Sequence, residues 1–353
     1  MVDELECVAS VLLAILLGHL ADAHNISWAA FSGYMVMRGH LADTLVRGLL
    51  RIAGTGLGVL LALALTPLVA PSPWLSAGAL AAVGGLTLYG AITRRHAYAW
   101  LFVGLTFEMI LLDQIAHPGA PLGPFAASRA REVVAGTIAC ILVSWLSSRS
   151  LRRRWPGAPQ PPPAHLGWSP DAAGHAALGA LALVFVPLLA AVWRGPDFAQ
   201  SGVTIIAVMI IPASAIGASG LAPVTRRILL RVAGCAAGAA LAAAFLFLAH
   251  TPALAPAGAA VLICGTVLGV ALGRHIENAQ GALAYAGTQF VLVILTTLVP
   301  DSYAQAALTP ALARLVGILV GMALLFPVLA VGRLAAPGRR GKGDSAPAEP
   351  GGV

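Results

Sequence analysis

The chain has 353 residues, 59% of them hydrophobic and only 10% charged, and its mean hydropathy is +0.87. A water-soluble domain carries about 25% charged residues, so this composition cannot coat a wetted surface. Soluble enzymes and nucleic-acid-binding modules are excluded, as are collagen-like and disulfide-stapled chains, because the 39 glycines follow no three-residue period and Cys is 4. What remains is an all-α integral membrane protein.

A bilayer-crossing helix needs about 20 mostly apolar residues. In chain order such stretches occupy 7–21, 26–37, 52–69, 74–93, 97–115, 133–146, 172–193, 203–217, 232–249, 254–272, 282–299 and 315–331. The sequence therefore predicts twelve transmembrane helices, arranged as two parallel six-helix repeats. The polar turn Asp22-Ala23-His24-Asn25 leaves the first two runs short, so a re-entrant hairpin is the alternative there. Asp3, Glu4 and Glu6 stand before the first run with no basic residue among them, which is not the pattern of a cleaved signal peptide. Cys7, Cys140, Cys235 and Cys264 are isolated in apolar runs and lack metal-ligand spacing, so they read as packing residues and no metal site is expected.

Basic residues collect on the cytoplasmic side of a membrane protein. With the N-terminus inside, seventeen of the 21 fall on the inner side, and Arg129, Arg131, Arg194 and Arg314 on the outer. Both termini are then cytoplasmic. The expected organisation is a first membrane half over 1–148, a Pro/Arg-rich cytoplasmic linker over 149–171, a second membrane half over 172–331 and a disordered tail over 332–353.

Two segments repeat. Arg51-Ile52-Ala53-Gly54 with Gly58 corresponds to Arg231-Val232-Ala233-Gly234 with Gly238, at a separation of 180. The pattern Arg-x-x-Gly-x-x-x-Gly returns at Arg314, Gly317 and Gly321, and less regularly where Arg131 precedes Gly136. Small residues four apart let helices approach closely in lipid, and nested repeats of this kind are typical of secondary transporters.

Glu108 is the carboxylate that stands well inside a predicted span. Burying it ionised costs at least about 2.5 kcal/mol, so it is expected to be protonated, paired or facing a wet cavity. It is the candidate proton-coupling acid, with Asp113 near the outer mouth as a second. At a separation of 181 Gln289 matches Glu108. Arg51, Arg231, Arg131 and Arg314 open their helices, either snorkelling to headgroups or binding substrate carboxylates in bidentate fashion. Trp28, Trp100, Tyr98, Phe107, Tyr285 and Phe290 offer stacking surface for a planar substrate. His19, Asp22, His24 and Asn25 read as turn chemistry.

No P-loop occurs: Lys342 is the one lysine, and it lies in the tail followed by Gly343. Hydrolase motifs are missing, and His275-Ile276-Glu277 lacks the cysteine pair of a zinc deaminase. The sequence reads as a non-enzyme without cofactor, an intramembrane enzyme on a lipid-linked substrate being the least favoured alternative. The partners expected are membrane lipid, protons and a small organic anion, with no nucleic acid.

Asn25-Ile26-Ser27-Trp28-Ala29, followed by Arg51-x-x-Gly54-Thr55-x-x-Gly58, resembles the fusaric acid resistance (FUSC) family of membrane proteins. The six-plus-six layout with its inner linker is similar to that family as well. The resemblance implies efflux of aromatic carboxylic acids across the bacterial inner membrane, driven by the proton gradient. It also brings in the plant aluminium-activated malate channels, which keep a passive anion channel in contention. The chain departs from the family pattern in two respects. A short linker stands where many relatives carry a soluble domain, which puts docking to a periplasmic adaptor in doubt, and Cys235 stands where the first copy has Thr55. Whether the chain forms a homo-oligomer is open at this level.

Overall fold

The structure, a computed structural model, describes residues 1–157, 167–193, 198–212, 215–216, 222–279, 281 and 283–335. The described residues form helices α1 (Val2–Leu20), α2 (Ile26–Val36), α3 (Leu41–Val69), α4 (Pro73–Thr93), α5 (Ala97–Ala116), α6 (Leu122–Arg149), α7 (Leu151–Arg154), α8 (Pro170–Val192), α9 (Phe198–Met209), α10 (Ala222–His250), α11 (Gly258–Asn278), α12 (Ala284–Leu298) and α13 (Thr309–Ala335). The middle of the predicted linker, Arg194 and the end of the tail lie outside the described residues.

A helix stands at each of the twelve predicted places, and α7 is a single extra turn. Eight are long and apolar enough to cross a membrane: α3, α4, α5, α6, α8, α10, α11 and α13. The other four fall short for different reasons. α1 opens on Asp3 and Glu4 with Glu6 close behind. α2, α9 and α12 have only 11, 12 and 15 residues. At 1.5 Å per residue, α2 and α9 reach little more than half of a core about 30 Å thick. Several long helices start well before their apolar run: α3 begins at Leu41, α6 at Leu122 and α10 at Ala222. Their opening turns are amphipathic, so hydropathy misses them while the backbone hydrogen-bond ladder continues. α4 and α8 are cut sharply by Ser-Pro, with Ser72 and Ser169 as N-caps.

Leucines at the middle of the long helices face outward, among them Leu57, Leu60 and Leu63 on α3. Trp74, Trp155, Trp168 and Trp193 are exposed at helix ends. Apolar outer faces with aromatic ends are what a bilayer selects.

The helices pack in two matching series. α3 lies on α5 as α10 lies on α12, and α2 lies on α6 as α9 lies on α13. Across the series α4 packs on α8 and α11 on α1, while α5 meets α9 and α12 meets α2. Glycines set the register. A Cβ at Gly54 would meet the Ala99 carbonyl of α5 at 2.5 Å, and one at Gly234 the Ala286 carbonyl of α12 at 2.3 Å. Gly58 packs on Val103 and Thr106, and Gly238 on Phe290 and Val293.

This packing corrects two sequence expectations. α5 and α12 correspond with Ala99 on Ala286 and Val103 on Phe290, so Gln289 matches Phe102, and Glu108 matches Leu295. In α6, Gly136 packs against Ala29 and Ser32 of α2, as Gly321 of α13 packs against Ser201 and Thr204 of α9. That register pairs Arg314 with Arg129 and leaves Arg131 without a counterpart. Arg131 instead reaches the Ala21 carbonyl at 3.4 Å, at the end of α1.

An ionic cluster closes one end of the molecule. Arg152 of α7 binds Asp3 and Glu6 of α1, Nε standing 2.9 Å from Glu6 Oε1. His275 reaches Glu4 at 3.2 Å, and Glu277 accepts from Tyr34 at 2.6 Å. Burial pulls the Arg152 guanidinium down, but its hydrogen bonds to Glu6 and Asp3 prevail and hold it above its usual value. It therefore stays charged throughout the neutral range.

Candidate functional site

α2 stands at the centre of the site. Its first N–H, that of Ile26, donates to Asp301 Oδ1 at 2.8 Å, which ties its N-terminus to the connection between α12 and α13. Asp22 takes φ 51 in the preceding turn, and the His24 N–H donates to Ser128 Oγ, so that polar cluster serves the turn. One turn into α2, Ser32 Oγ donates to the Trp28 carbonyl and accepts from Arg51 Nη2 at 3.0 Å. The Arg51 guanidinium lies 3.6 Å over the Phe102 ring and 5.0 Å from Phe31.

Three more arginines converge on the same space. Arg129 stands 3.1 Å from Glu132 Oε2 and 4.6 Å over the Trp28 ring. Arg231 Nη1 donates to Gln289 Oε1 at 2.8 Å and to the Tyr285 hydroxyl at 3.4 Å. Arg314 donates to Gln200 Oε1 at 3.0 Å and to Gln289 Oε1 at 3.3 Å. Arg51, Arg129, Arg231 and Arg314 are 1%, 8%, 1% and 4% exposed. Together with Glu132, Trp28, Phe31 and Phe102 they line one cavity of about 70 Å³. One water needs about 10–15 Å³, so the space admits a few waters or a small ligand.

Buried guanidinium groups demand compensation. Among the described residues the arginine ion pairs are Arg129–Glu132, Arg274–Glu277 and those of Arg152, and none includes Arg51, Arg231 or Arg314. Those three lean on neutral oxygens and ring faces, Arg51 also on the Tyr98 hydroxyl and Arg314 on the Cys235 thiol. Arg51 Nε and Nη1, Arg231 Nε and Nη2 and Arg314 Nε have no hydrogen-bond partner among the described residues. The cavity thus presents several unspent N–H donors on fixed positive groups, the chemistry that holds a carboxylate or phosphate.

The sequence-derived candidates divide as follows. Arg51, Arg231, Arg314 and Trp28 line the cavity, and Gln289 stands behind the wall, bridging Arg231 and Arg314. Arg131 does not line it. Arg51, Arg231 and Arg314 are too buried to snorkel to headgroups, and with Arg129 they drop out of the side count, two from each side. Glu108 is fully buried but points to α9, where a Cβ at Gly202 would fall 1.9 Å from its Oε1. Its neighbours Leu105, Thr106 and Met109 line the cavity; Glu108 does not. Asp113 is partly exposed beside His117, 3.3 Å away, at the end of α5. Of the proposed stacking aromatics only Trp28 lines the wall. Phe31, Phe102, Arg129 and Glu132 were missed, though Arg129 stands seven residues before Gly136 as Arg314 stands before Gly321, a spacing the sequence carries.

Residues 5–156 match the fusaric acid resistance protein family. Over that segment the chain is similar to the FUSC family. The segment runs from α1 through α7 and holds Arg51, Arg129 and Glu132, so the resemblance drawn from Asn25–Ala29 and Arg51–Gly58 is borne out there. Arg231 and Arg314 come from beyond the matched residues and complete the same cavity. No curated protein and no solved structure matches the chain. Eight apolar helices of membrane-crossing length, four of them within the matched segment, make this a multi-pass membrane protein.

Proposed function

We propose that the chain is a secondary transporter that exports small organic anions, aromatic carboxylates foremost, across a bacterial inner membrane. The observation that carries this reading is the cavity in which three buried arginines have no carboxylate partner among the described residues. Trp28, Phe31 and Phe102 supply flat apolar surface beside the positive charge, which favours a planar acid over a bare ion. The proposed architecture is twelve membrane-embedded helices arranged as two parallel six-helix repeats, with both termini cytoplasmic and the cavity on the axis between the repeats.

The proton-motive force supplies the drive. An anion leaving a cell that is negative inside gains about 2.3 kcal/mol per 100 mV. Proton antiport adds an exchanged proton, for which Glu108 is the carrier on this reading. Its support is a carboxyl buried at the seam of α5 and α9, beside residues of the cavity wall. Asp113 at the end of the same helix would pass the proton on.

The test is benzoate efflux from proteoliposomes. Efflux is expected only with protein present, to quicken with an interior-negative potential, and to lose its response to a pH gradient in Glu108→Gln. PH-coupled efflux undiminished in that variant removes Glu108 from the mechanism. Single-channel currents far above transporter turnover would favour the passive channel.

A further inference from the structure

The mechanism above leaves one buried acid without a task. Glu132 is wholly buried on α6 and lines the cavity. It accepts from Ser128 Oγ at 2.9 Å through Oε1 and stands 3.1 Å from Arg129 Nη1 through Oε2. Among the described residues it is the one carboxylate in a wall that carries four guanidinium groups. Chemically it is the group the cavity is proposed to capture, already attached to the protein.

We propose that Glu132 is a tethered competitor for the transported anion: it holds Arg129 when no substrate is bound, and it releases Arg129 by taking up a proton as the substrate carboxylate arrives. The proposal rests on the anion-transport reading and specifies how its cavity is charged. The step balances. A carboxylate and one proton enter, Glu132 becomes a neutral acid, and Arg129 exchanges one carboxylate partner for another. Substrate binding and proton uptake at this site are then linked, and affinity rises as the pH falls.

The surroundings fit. The charged groups facing Glu132 are Arg129 on its own helix, Arg51 of α3, Arg231 of α10 and Arg314 of α13 across the cavity, with Asp301 beyond the first turn of α2. α5, α9 and α12 contribute only apolar or hydroxyl side chains to the wall, namely Phe102, Leu105, Thr106, Met109, Val203, Leu292 and Thr296. Among the described residues no second acid lines the wall. The sign is opposite to that of an exchanged proton carried by Glu108, so the two carboxyls are separable by experiment.

The experiment is benzoate binding to the purified full chain in nanodiscs between pH 5 and 8, a range in which benzoate stays ionised. Affinity is expected to rise toward pH 5 by at most about tenfold per pH unit, the limit for one linked proton. In Glu132→Gln it is expected to be tight and flat across the range. A second measurement needs no variant: benzoate added to wild-type protein in weak buffer should withdraw about one proton per molecule bound, read by an indicator dye. Benzoate binding without proton uptake, or with one pH profile for both proteins, or abolished in Glu132→Gln, overturns the proposal and leaves the anion reading standing. No benzoate binding at any pH overturns both.

Discussion

At the scale of the residue, the chain holds positive charge where a bilayer protein can least accommodate it. Arg231 is nearly wholly buried, with Gln289 and Tyr285 as neutral partners. A structural role and a binding role for it predict opposite outcomes. If Arg231 binds the anion, Arg231→Gln should weaken benzoate affinity about tenfold or more, since hydrogen bonds to charged groups contribute about 1.5–3 kcal/mol. Thermal stability of the ligand-free protein should hold or rise, because an uncompensated buried charge has been removed. A fall in melting temperature with unchanged affinity would assign Arg231 to packing. Much of this chemistry was legible in the sequence: Arg51, Arg231 and Arg314 stand out because each is followed by glycines at fixed spacing. Glu132 was not. The apolar window opens one residue after it, and hydropathy counts Arg129, Arg131 and Glu132 as interface charges. Two of the three are buried against each other on a helix that began ten residues earlier, at Leu122.

At the scale of the element, glycines decide which helices touch. A Cβ at Gly234 would press on the Ala286 carbonyl at 2.3 Å, and one at Gly54 on the Ala99 carbonyl at 2.5 Å, whereas Gly56 has nothing within 4 Å. Gly234→Ala and Gly54→Ala should therefore destabilise by about 1–3 kcal/mol, the usual cost of overpacking. Gly56→Ala on the same helix should be neutral or stabilising by up to about 1 kcal/mol through helix propensity. Thermal unfolding of the three variants in one detergent checks this, and equal losses at Gly54 and Gly56 would refute the close-approach account. The repeat of these glycines was visible in the sequence, but its register was not. A constant separation cannot follow the longer connection between α10 and α11, where residues 251–257 replace the three between α3 and α4. Gln289 consequently matches Phe102, and the arginine that it serves matches the arginine stacked on that ring. The two halves solve one problem differently, with an amide on one side and an aromatic face on the other.

At the scale of the whole molecule, the two seams that join the series are unlike. Where α1 meets α11 they are fastened at one end by charge, through Glu4 with His275 and Asp3 with Asn278. Where α4 meets α8 they are packed through small residues, with Gly84 against Leu183 and Gly85 against Ala180. Polar contacts between side chains re-form readily after separation, and glycine faces can slide without unlocking side chains. If transport works by rocking one half against the other, both seams must give during the cycle, and the cavity wall, which both halves share, opens with them. A cysteine pair at Gly85 and Ala180, in a background with the native cysteines changed to Ser, sets its Cβ atoms 2.9 Å apart, closer than the roughly 3.5–4.5 Å of a disulfide, so the bridge forms once the seam parts by about 1 Å. Oxidation should abolish benzoate transport in proteoliposomes and leave benzoate binding within about twofold, and reductant should restore transport. Full transport by the oxidised protein would mean that this seam does not move, and a passive conduit through a rigid bundle would then account better for the four arginines.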